Sequence, residues 1–204
     1  MSKGLERFGP LLAALAVVTL STPARAGVTL SNLQAAYNGE SNARLKYIAY
    51  AKKADQEGYA KVAQLFRAAA RAEGLHASNH AKAIAKLGGL PTNKIATPAP
   101  KSTLENLRDA AKGETYERDV MYPEFLVAAE KEGQDDAFIT FTQAKAAEAD
   151  HARLYQLAID NLMQWKTASA GFYVCPTCGS TTENLPTKDC PVCSTGKEQY
   201  MLVS

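Results

Sequence analysis

Small and apolar side chains recur every three or four residues along most of the chain, and this spacing predicts amphipathic helices. Four long helices are predicted, over the approximate ranges 30–57, 59–87, 102–131 and 135–167. Gly58 and Gly133 end the first and third of them, because glycine is favoured directly after a helix. Helices of this kind are not stable alone in water, so we expect their apolar faces to pack together.

The third predicted helix begins at a recognisable signal, because Ser102 and Glu105 are spaced as a capping box. Pro123 lies inside this helix and is expected to bend it. The proline-containing loop before the helix is long enough to cross a bundle rather than form a tight hairpin. We therefore predict an all-α four-helix bundle over residues 27–168.

The helical pattern stops near Gly171, and turn residues and cysteines follow it. The four cysteines form two C-x-x-C pairs, Cys175 with Cys178 and Cys190 with Cys193. We predict a small β-rich domain over residues 169–204, in which four thiolates form a tetrahedral site for one iron or zinc ion. A structural zinc site and a pair of disulfides are the alternatives that the spacing leaves open.

The N-terminus has the pattern of a secretory signal, with a basic start and an apolar run from Leu11 to Leu20. Ala24 and Ala26 are spaced as a cleavage site, so residues 1–26 are predicted to be removed. The apolar run is shorter than the roughly 20 residues that span a bilayer. We expect an exported, periplasmic protein that keeps no stable membrane span after cleavage, with an uncleaved anchor as the alternative.

Composition and charge are those of an ordinary globular protein and narrow the range of partners. The chain has 204 residues, of which 46% are hydrophobic and 22% charged, and its net charge is +2. Basic and acidic residues alternate along the helices instead of forming a basic patch. This pattern argues against a nucleic-acid partner and is typical of solvated helix faces.

The predicted core faces carry acidic and imidazole side chains where apolar residues are expected. In the second helix, the spacing of Val62 and Phe66 continues onto Glu73 and His76. Taken singly, such residues are usually surface residues or satisfied core histidines, which is how we interpret His80. The full set that falls at one depth of the bundle is Glu40, Glu73, His76, Glu114, Glu117, Glu148 and His151.

Electrostatics favours a metal interpretation of this set. Five buried carboxylates repel one another, and each costs several kcal/mol to desolvate. No lysine or arginine lies on the same stripes, whereas two divalent cations would supply four positive charges. Carboxylate and imidazole ligands suit iron or manganese, and two Glu-x-x-His motifs with further glutamates form the ligand pattern of di-iron carboxylate bundles.

The motifs together resemble those of the rubrerythrin family, which combines a ferritin-like di-iron bundle with a rubredoxin-like Fe(Cys)₄ domain. The resemblance covers about residues 28–204. It rests on the paired cysteine motifs and on the stretches "GES", "AEGLH", "GETYERDVMYPEF" and "AEADH".

The resemblance implies an enzyme that reduces hydrogen peroxide to water. In the family scheme, the di-iron centre gives two electrons to peroxide, and the Fe(Cys)₄ site returns them one at a time. The resemblance also implies a homodimer in which one subunit's Fe(Cys)₄ site lies near the partner's di-iron centre. Because an exported chain would not meet cytoplasmic reductases, its electron donor stays unidentified.

The resemblance assigns roles to most of the ligands. Glu73 and Glu148 would bridge the two irons, and Glu114 with His151 would complete the coordination of one of them. These assignments follow from the family pattern, because the spacing alone does not distinguish bridging from terminal ligands.

The other iron would be bound by Glu40 together with Glu117. The family implies that His76 replaces Glu117 as a ligand when the redox state changes. Tyr47 and Tyr122 match tyrosines that could donate hydrogen bonds to ligand carboxylates, although packing aromatics would show the same spacing.

Two other functions are compatible with the same residues. One is a ferritin-like ferroxidase or iron-binding protein whose cysteine domain is a structural zinc site. The other is a peroxide or iron sensor whose cysteine domain contacts a partner. The metal in the cysteine site distinguishes these functions from the peroxidase, because iron there supports electron transfer and zinc does not.

Overall fold

A computed structural model of the chain describes Met1 and residues 27–166 and 171–203. The predicted signal, residues 1–26 with cleavage after Ala26, lies outside the described residues apart from Met1. Residues 167–170, where the fourth helix and the bundle were predicted to end, lie outside them as well.

Six α-helices and one π-helical turn form the described part of the bundle. Their bounds are α1 Val28–Gln56, α2 Ala60–Lys86, α3 Thr103–Tyr116, π turn Glu117–Met121, α4 Tyr122–Lys131, α5 Asp135–Asp160 and α6 Leu162–Trp165. Helices α1 and α2 begin and end close to the predicted positions, whereas α5 begins where predicted but ends at Asp160 and is followed by the short α6. Helix α3, the π turn and α4 together form the third rod, so the prediction of a four-helix bundle is confirmed.

The third rod differs from the continuous helix that the sequence predicts. Its capping box is confirmed, because the Ser102 side chain accepts from the N–H of Glu105, whose carboxylate accepts from the N–H of Ser102. Near Pro123, where a bend is expected, the helix type changes, with the π turn directly before Tyr122 and Pro123 in the first turn of α4. Proline has no N–H to donate, so the hydrogen-bond pattern changes as the helix approaches it.

The apolar core of the bundle is divided into two clusters. One cluster surrounds Tyr47, Phe66 and Tyr155, and the other contains Leu33 and Phe141. The buried acidic and imidazole side chains lie along the helices between them. The core is therefore interrupted by a polar layer in the middle of the bundle.

One predicted core position in the fourth rod is wrong. The three- to four-residue spacing of apolar positions predicts that Phe138 and Phe141 share the core face of the fourth helix. In the structure Phe138 is 39% exposed, whereas Ala137 and Phe141 are buried. A small residue thus takes the inward position at the start of α5, and the larger ring lies at the edge.

The crossover between α2 and α3 runs along α1 and is held by three amide side chains. Gln34, Asn38 and Asn42 accept hydrogen bonds from the backbone N–H groups of residues 92, 94 and 96 at 3.1, 2.7 and 2.8 Å. Four residues of helix rise about 6 Å, which nearly matches two residues of extended chain. The two backbones can therefore run side by side in register.

The C-terminal domain is a small antiparallel sheet that packs on the bundle. Its strands β1 (Phe172–Val174), β2 (Thr181–Thr182) and β3 (Met201–Val203) have the order β2-β1-β3. Phe172 lies in the larger core cluster beside Trp165, with ring centroids 6.2 Å apart. The fold class predicted from the sequence, a bundle followed by a β-rich rubredoxin-like domain, is confirmed. None of the described helices combines the length and the apolar character needed to cross a bilayer.

Candidate metal centres

The polar layer of the bundle contains two groups of potential ligands that share two members. Glu73 and Glu148 belong to both, and within each group the four ligand atoms all lie within 4.8 Å of one another. The first group consists of Glu40, Glu73, His76 and Glu148, and the second consists of Glu73, Glu114, Glu148 and His151. All six side chains are buried.

The first group is centred on Nδ1 of His76. This atom lies 2.9 Å from Oε2 of Glu73 and 3.1 Å from Oε1 of Glu148. Oε2 of Glu40 is 3.9 Å away from it. Three carboxylates from three helices thus converge on one imidazole nitrogen.

The second group repeats this arrangement around Nδ1 of His151. Oε2 of Glu148 lies 2.8 Å from that nitrogen and Oε1 of Glu73 lies 3.4 Å from it, with Oε2 of Glu114 at 3.8 Å. Glu73 and Glu148 therefore turn one oxygen toward each group. This is the geometry that two bridging carboxylates require.

The residues fit a pair of cations, because one oxygen of each of four buried carboxylates makes no hydrogen bond within the described residues. These atoms are Glu40 Oε2, Glu73 Oε1, Glu114 Oε2 and Glu148 Oε1. Buried oxygens of this kind are costly unless they bind a donor or a cation. All four belong to the two groups, so each open position lies where a metal ion would satisfy it.

The two carboxylates that belong to one group each are held by tyrosines. Tyr122 donates to Oε1 of Glu40, and Tyr47 donates to Oε1 of Glu114. Both phenols are buried. Each tyrosine thus hydrogen-bonds one oxygen of its carboxylate, and the other oxygen faces the ligand group. The sequence suggested such a hydrogen bond to a ligand carboxylate for both tyrosines.

Without cations, the layer must hold protons. Burial, followed by the negative charge of Glu73, raises the pKa of Glu40 to about 7. Burial also raises the pKa of Glu148. Burial disfavours the charged imidazole of His76, but the neighbouring carboxylates of Glu148, Glu40 and Glu73 together outweigh burial and raise the pKa of His76 well above its ordinary value.

We expect metal loading of the bundle to release protons, since cations bind carboxylates and imidazoles only in their deprotonated forms. Because the pKa of Glu40 is about 7, apparent affinity should fall as the pH is lowered through that value. Anaerobic titration with ferrous iron in weakly buffered solution containing a pH dye should show about one proton or more released per pair of ions near pH 6. Iron binding without proton release would contradict the inference that the metal-free layer holds protons.

Glu117 lies apart from both groups. It begins the π turn, is only partly buried and is absent from the two four-residue sets. Burial and the charge of Glu40 raise the pKa of Glu117 well above its ordinary value, so its carboxylate is still close to the layer. The structure therefore shows His76 within a ligand group and Glu117 outside it, and the ligand role of Glu117 stays a prediction.

His80 is a buried histidine with both nitrogens satisfied. Nε2 lies 3.1 Å from the Tyr122 hydroxyl, which itself donates to Glu40, and Nδ1 lies 3.1 Å from the Thr140 hydroxyl. Burial, followed by the charge of His76, lowers the pKa of His80 to about 3. This agrees with the interpretation of His80 as a neutral core histidine, which here supports a tyrosine rather than binding metal.

The four predicted cysteines form one cluster in the C-terminal domain. The sulfurs of Cys175 and Cys193 are 3.5 Å apart, as are those of Cys178 and Cys190, and no disulfide joins them. A tetrahedral site with bonds of about 2.3 Å has sulfur–sulfur edges of about 3.8 Å. The spacing therefore fits four thiolates around one metal ion and not the disulfide alternative.

The first cysteine knuckle and the strand β2 that follows it contact the imidazoles of the two ligand groups. Nε2 of His76 donates to the carbonyl oxygen of Cys178 at 3.0 Å. Nε2 of His151 lies 3.1 Å from the Thr181 hydroxyl, which donates to the carbonyl of Gly179 and so accepts from the imidazole. Because both Nε2 atoms donate these hydrogen bonds, both Nδ1 atoms face the carboxylates, where each could bind a metal ion once it has lost its own proton. Sequence reasoning did not predict these contacts, which join distant parts of the chain.

The two knuckles share a positive φ at the residue after their second cysteine, but the residue at that position differs. Gly179 and Ser194 follow the second cysteine of each knuckle and have φ of 79° and 60°. A Cβ atom at Gly179 would collide with Nε2 of His76. The second knuckle does not pack on His76, so a serine is accommodated there at the cost of an uncommon backbone conformation.

Comparisons with known proteins identify the family of this chain. The family model described as Rubrerythrin matches residues 31–159, which is more than half of the chain. Nigerythrin from Nitratidesulfovibrio vulgaris is 37% identical over 175 residues, covering 85% of this chain and 86% of that protein. Rubrerythrin-2 from Clostridium acetobutylicum is 34% identical over 176 residues, covering 85% of this chain and 95% of that protein.

Solved structures agree with these matches. The fully reduced, all-ferrous state of nigerythrin superposes with a TM-score of 0.81 at 33% identity, covering 95% of this chain and all of that one. A bacterioferritin from Desulfovibrio desulfuricans covers 70% of this chain and 84% of its own, with a TM-score of 0.64 at 22% identity. The second similarity shows only that the bundle fold is shared.

Proposed function

Because the chain belongs to the rubrerythrin family, we propose that it reduces hydrogen peroxide to water with electrons that pass through its four-cysteine site. The family's di-iron site and its rubredoxin-like four-cysteine site are both present here as clustered residues. The observation that carries the proposal is the hydrogen bond from His76 to the carbonyl of Cys178, because it joins a ligand group of one site to a ligand of the other.

The bundle residues would hold the iron pair, with Glu73 and Glu148 shared between the ions. When bound, such a pair supplies the two electrons that cleavage of the O–O bond consumes. The surrounding residues hold the carboxylates in place, through Tyr47 on one side and Tyr122 on the other. Two apolar clusters border the layer along the bundle, one on each side of it.

The cysteine domain would deliver electrons over a short path. Cys178 is a thiolate ligand whose own carbonyl accepts the hydrogen bond from His76, and Nδ1 of that imidazole faces the carboxylates. In this structure the two sites meet within one chain through that hydrogen bond. The homodimer itself stays a prediction.

A ferritin-like ferroxidase is the second candidate function. The bundle alone would suit it, and the similarity to bacterioferritin concerns the bundle alone. A purely structural cysteine domain, however, would have no need to contact both imidazoles of the metal layer. The docked knuckle therefore favours the peroxidase.

The proposed function is tested by reducing the iron-loaded protein anaerobically and mixing it with hydrogen peroxide in a stopped-flow spectrometer. We expect the visible spectrum of the oxidised Fe(Cys)₄ site to return rapidly with peroxide and much more slowly with dioxygen. Zinc in the cysteine site of the native protein, or faster reoxidation by dioxygen than by peroxide, would contradict the proposal and favour the ferroxidase.

A further inference from the structure

A cavity of about 430 Å³ lies between α1 and α3, directly beside the metal layer. Glu117 and Tyr47 form part of its wall, and the Tyr47 hydroxyl reaches Glu114 inside the layer. Lys101 and Asp109 line it as well and are exposed, so the cavity opens to solvent. It therefore connects the surface of the protein with Tyr47, which contacts a ligand group, and with Glu117 beside the layer.

Two glycines keep the inner part of this cavity wide. Gly39 and Gly113 both line it, and each directly precedes a ligand-group residue, Glu40 or Glu114. Glycine inside a helix is unfavourable relative to alanine. Neither glycine has a positive φ, and a Cβ at Gly113 would meet nothing within 4 Å. What the two glycines provide is open space beside the metal layer.

The outer wall of the cavity is a fixed segment of the crossover. Asn42 accepts from the N–H of Ala96 at 2.8 Å. At the other end, Asn106 accepts from the N–H of Lys101 at 2.9 Å and donates to its carbonyl at 3.0 Å. The stretch between these anchors consists of small residues and prolines, which narrow the opening little.

We infer that this cavity is the entrance and binding chamber for the oxidant, and that its size admits organic hydroperoxides as well as hydrogen peroxide. This inference rests on the proposed peroxidase function. Hydrogen peroxide has only two heavy atoms, and a water molecule takes about 30 Å³, so the cavity is many times larger than the smallest substrate requires. The outward substituent of a hydroperoxide can remain in the chamber while its O–O group reaches the metal layer.

The reaction at an organic hydroperoxide balances in the same way as that of hydrogen peroxide. The O–O bond of ROOH breaks, two electrons from the reduced protein and two protons from solvent are taken up, and the products are ROH and water. The electrons come ultimately from a one-electron donor through the cysteine site.

The test fills the chamber from its helical wall. In Gly113→Met, the side chain should occupy the space beside Glu117, whereas Gly113→Ala adds one carbon and Lys112→Met adds the same side chain at an exposed position of α3. Gly113→Met should slow reoxidation by tert-butyl hydroperoxide about tenfold or more, and it should slow reoxidation by hydrogen peroxide less. The rates of Gly113→Ala should lie between those of Gly113→Met and those of the wild type. Lys112→Met should match the wild type with both oxidants.

A second readout does not depend on activity. In the metal-free protein, tert-butanol, an unreactive analogue of the product alcohol, should give a saturation-transfer NMR signal that Gly113→Met removes and Lys112→Met retains. All three variants should keep the thermal unfolding temperature of the wild type, or exceed it where glycine is replaced, because the new residues are better helix formers.

The outcomes separate this inference from the proposed function. If the wild type is reoxidised by both oxidants and Gly113→Met reacts as fast as the wild type with each of them, the entrance is elsewhere and the inference fails. If the wild type reacts with hydrogen peroxide but not with tert-butyl hydroperoxide, the wider substrate range is wrong. A wild type that reacts with neither oxidant overturns the proposed function itself.

Discussion

Replacing Glu148 with alanine should abolish metal loading of the bundle and leave the four-cysteine site occupied. Glu148 turns Oε1 toward the group of His76 and Oε2 toward the group of His151, so its loss removes one ligand from each. Metal analysis should show the content of the variant falling from about three ions per chain to about one. Turnover with hydrogen peroxide should fall to background.

Two comparisons make this result specific. Glu148→Gln keeps the size of the side chain but not its charge and should lose the same ions, whereas Glu130→Ala, at an exposed glutamate of α4, should lose none. The metal-free Glu148→Ala protein should remain folded, because one of several mutually repelling carboxylates has been removed. Loss of the Fe(Cys)₄ spectrum together with the bundle metals would contradict the separation of the two sites.

Replacing Gly179 with alanine should cut electron delivery without emptying either site. The backbone there has φ of 79°, and the added Cβ would collide with Nε2 of His76 and come within 3.2 Å of the Cβ of Ala72. The knuckle would have to move away, which breaks the hydrogen bond to the carbonyl of Cys178. We expect the steady-state rate to fall about 100-fold, as small displacements between reacting groups commonly cause.

The chain offers a matched control at the equivalent position of the other knuckle. Ser194 also has a positive φ, and Ser194→Ala should leave the rate unchanged. Both variants should retain the Fe(Cys)₄ spectrum and the bundle metals. If Gly179→Ala turns over like the wild type, electrons do not need the contact between the knuckle and His76.

Much of the fold followed from the sequence because helical periodicity is a local property. The predicted ranges for the first and second helices differ from Val28–Gln56 and Ala60–Lys86 by only one or two residues at each end. The capping box at Ser102 was also readable, since its partners are three residues apart. The positions of Glu40, Glu73 and Glu148 in the helical repeat were sufficient to predict that their side chains face the core at one level of the bundle.

The missed features are those that depend on non-local contacts. The amide side chains of Gln34, Asn38 and Asn42 resemble any solvated helix face until the crossover is seen lying on them. The contact of Thr181 with His151 joins residues on different domains. Neither periodicity nor motif spacing carries information about which surface of a small domain will face the bundle.

The π turn determines which side chains of the third rod can share the metal layer. At about 100° per residue, a regular α-helix would place Tyr122, eight residues after Glu114, about 80° around the axis from it. A π turn takes up one extra residue, which reduces this difference to about 20° and lets the tyrosine reach Glu40. Deleting one residue from the turn would keep the phenol inward if the helix became regular, whereas deleting two would rotate it toward solvent. The number of residues between Glu114 and Tyr122 is thus as much a part of the site as the two side chains.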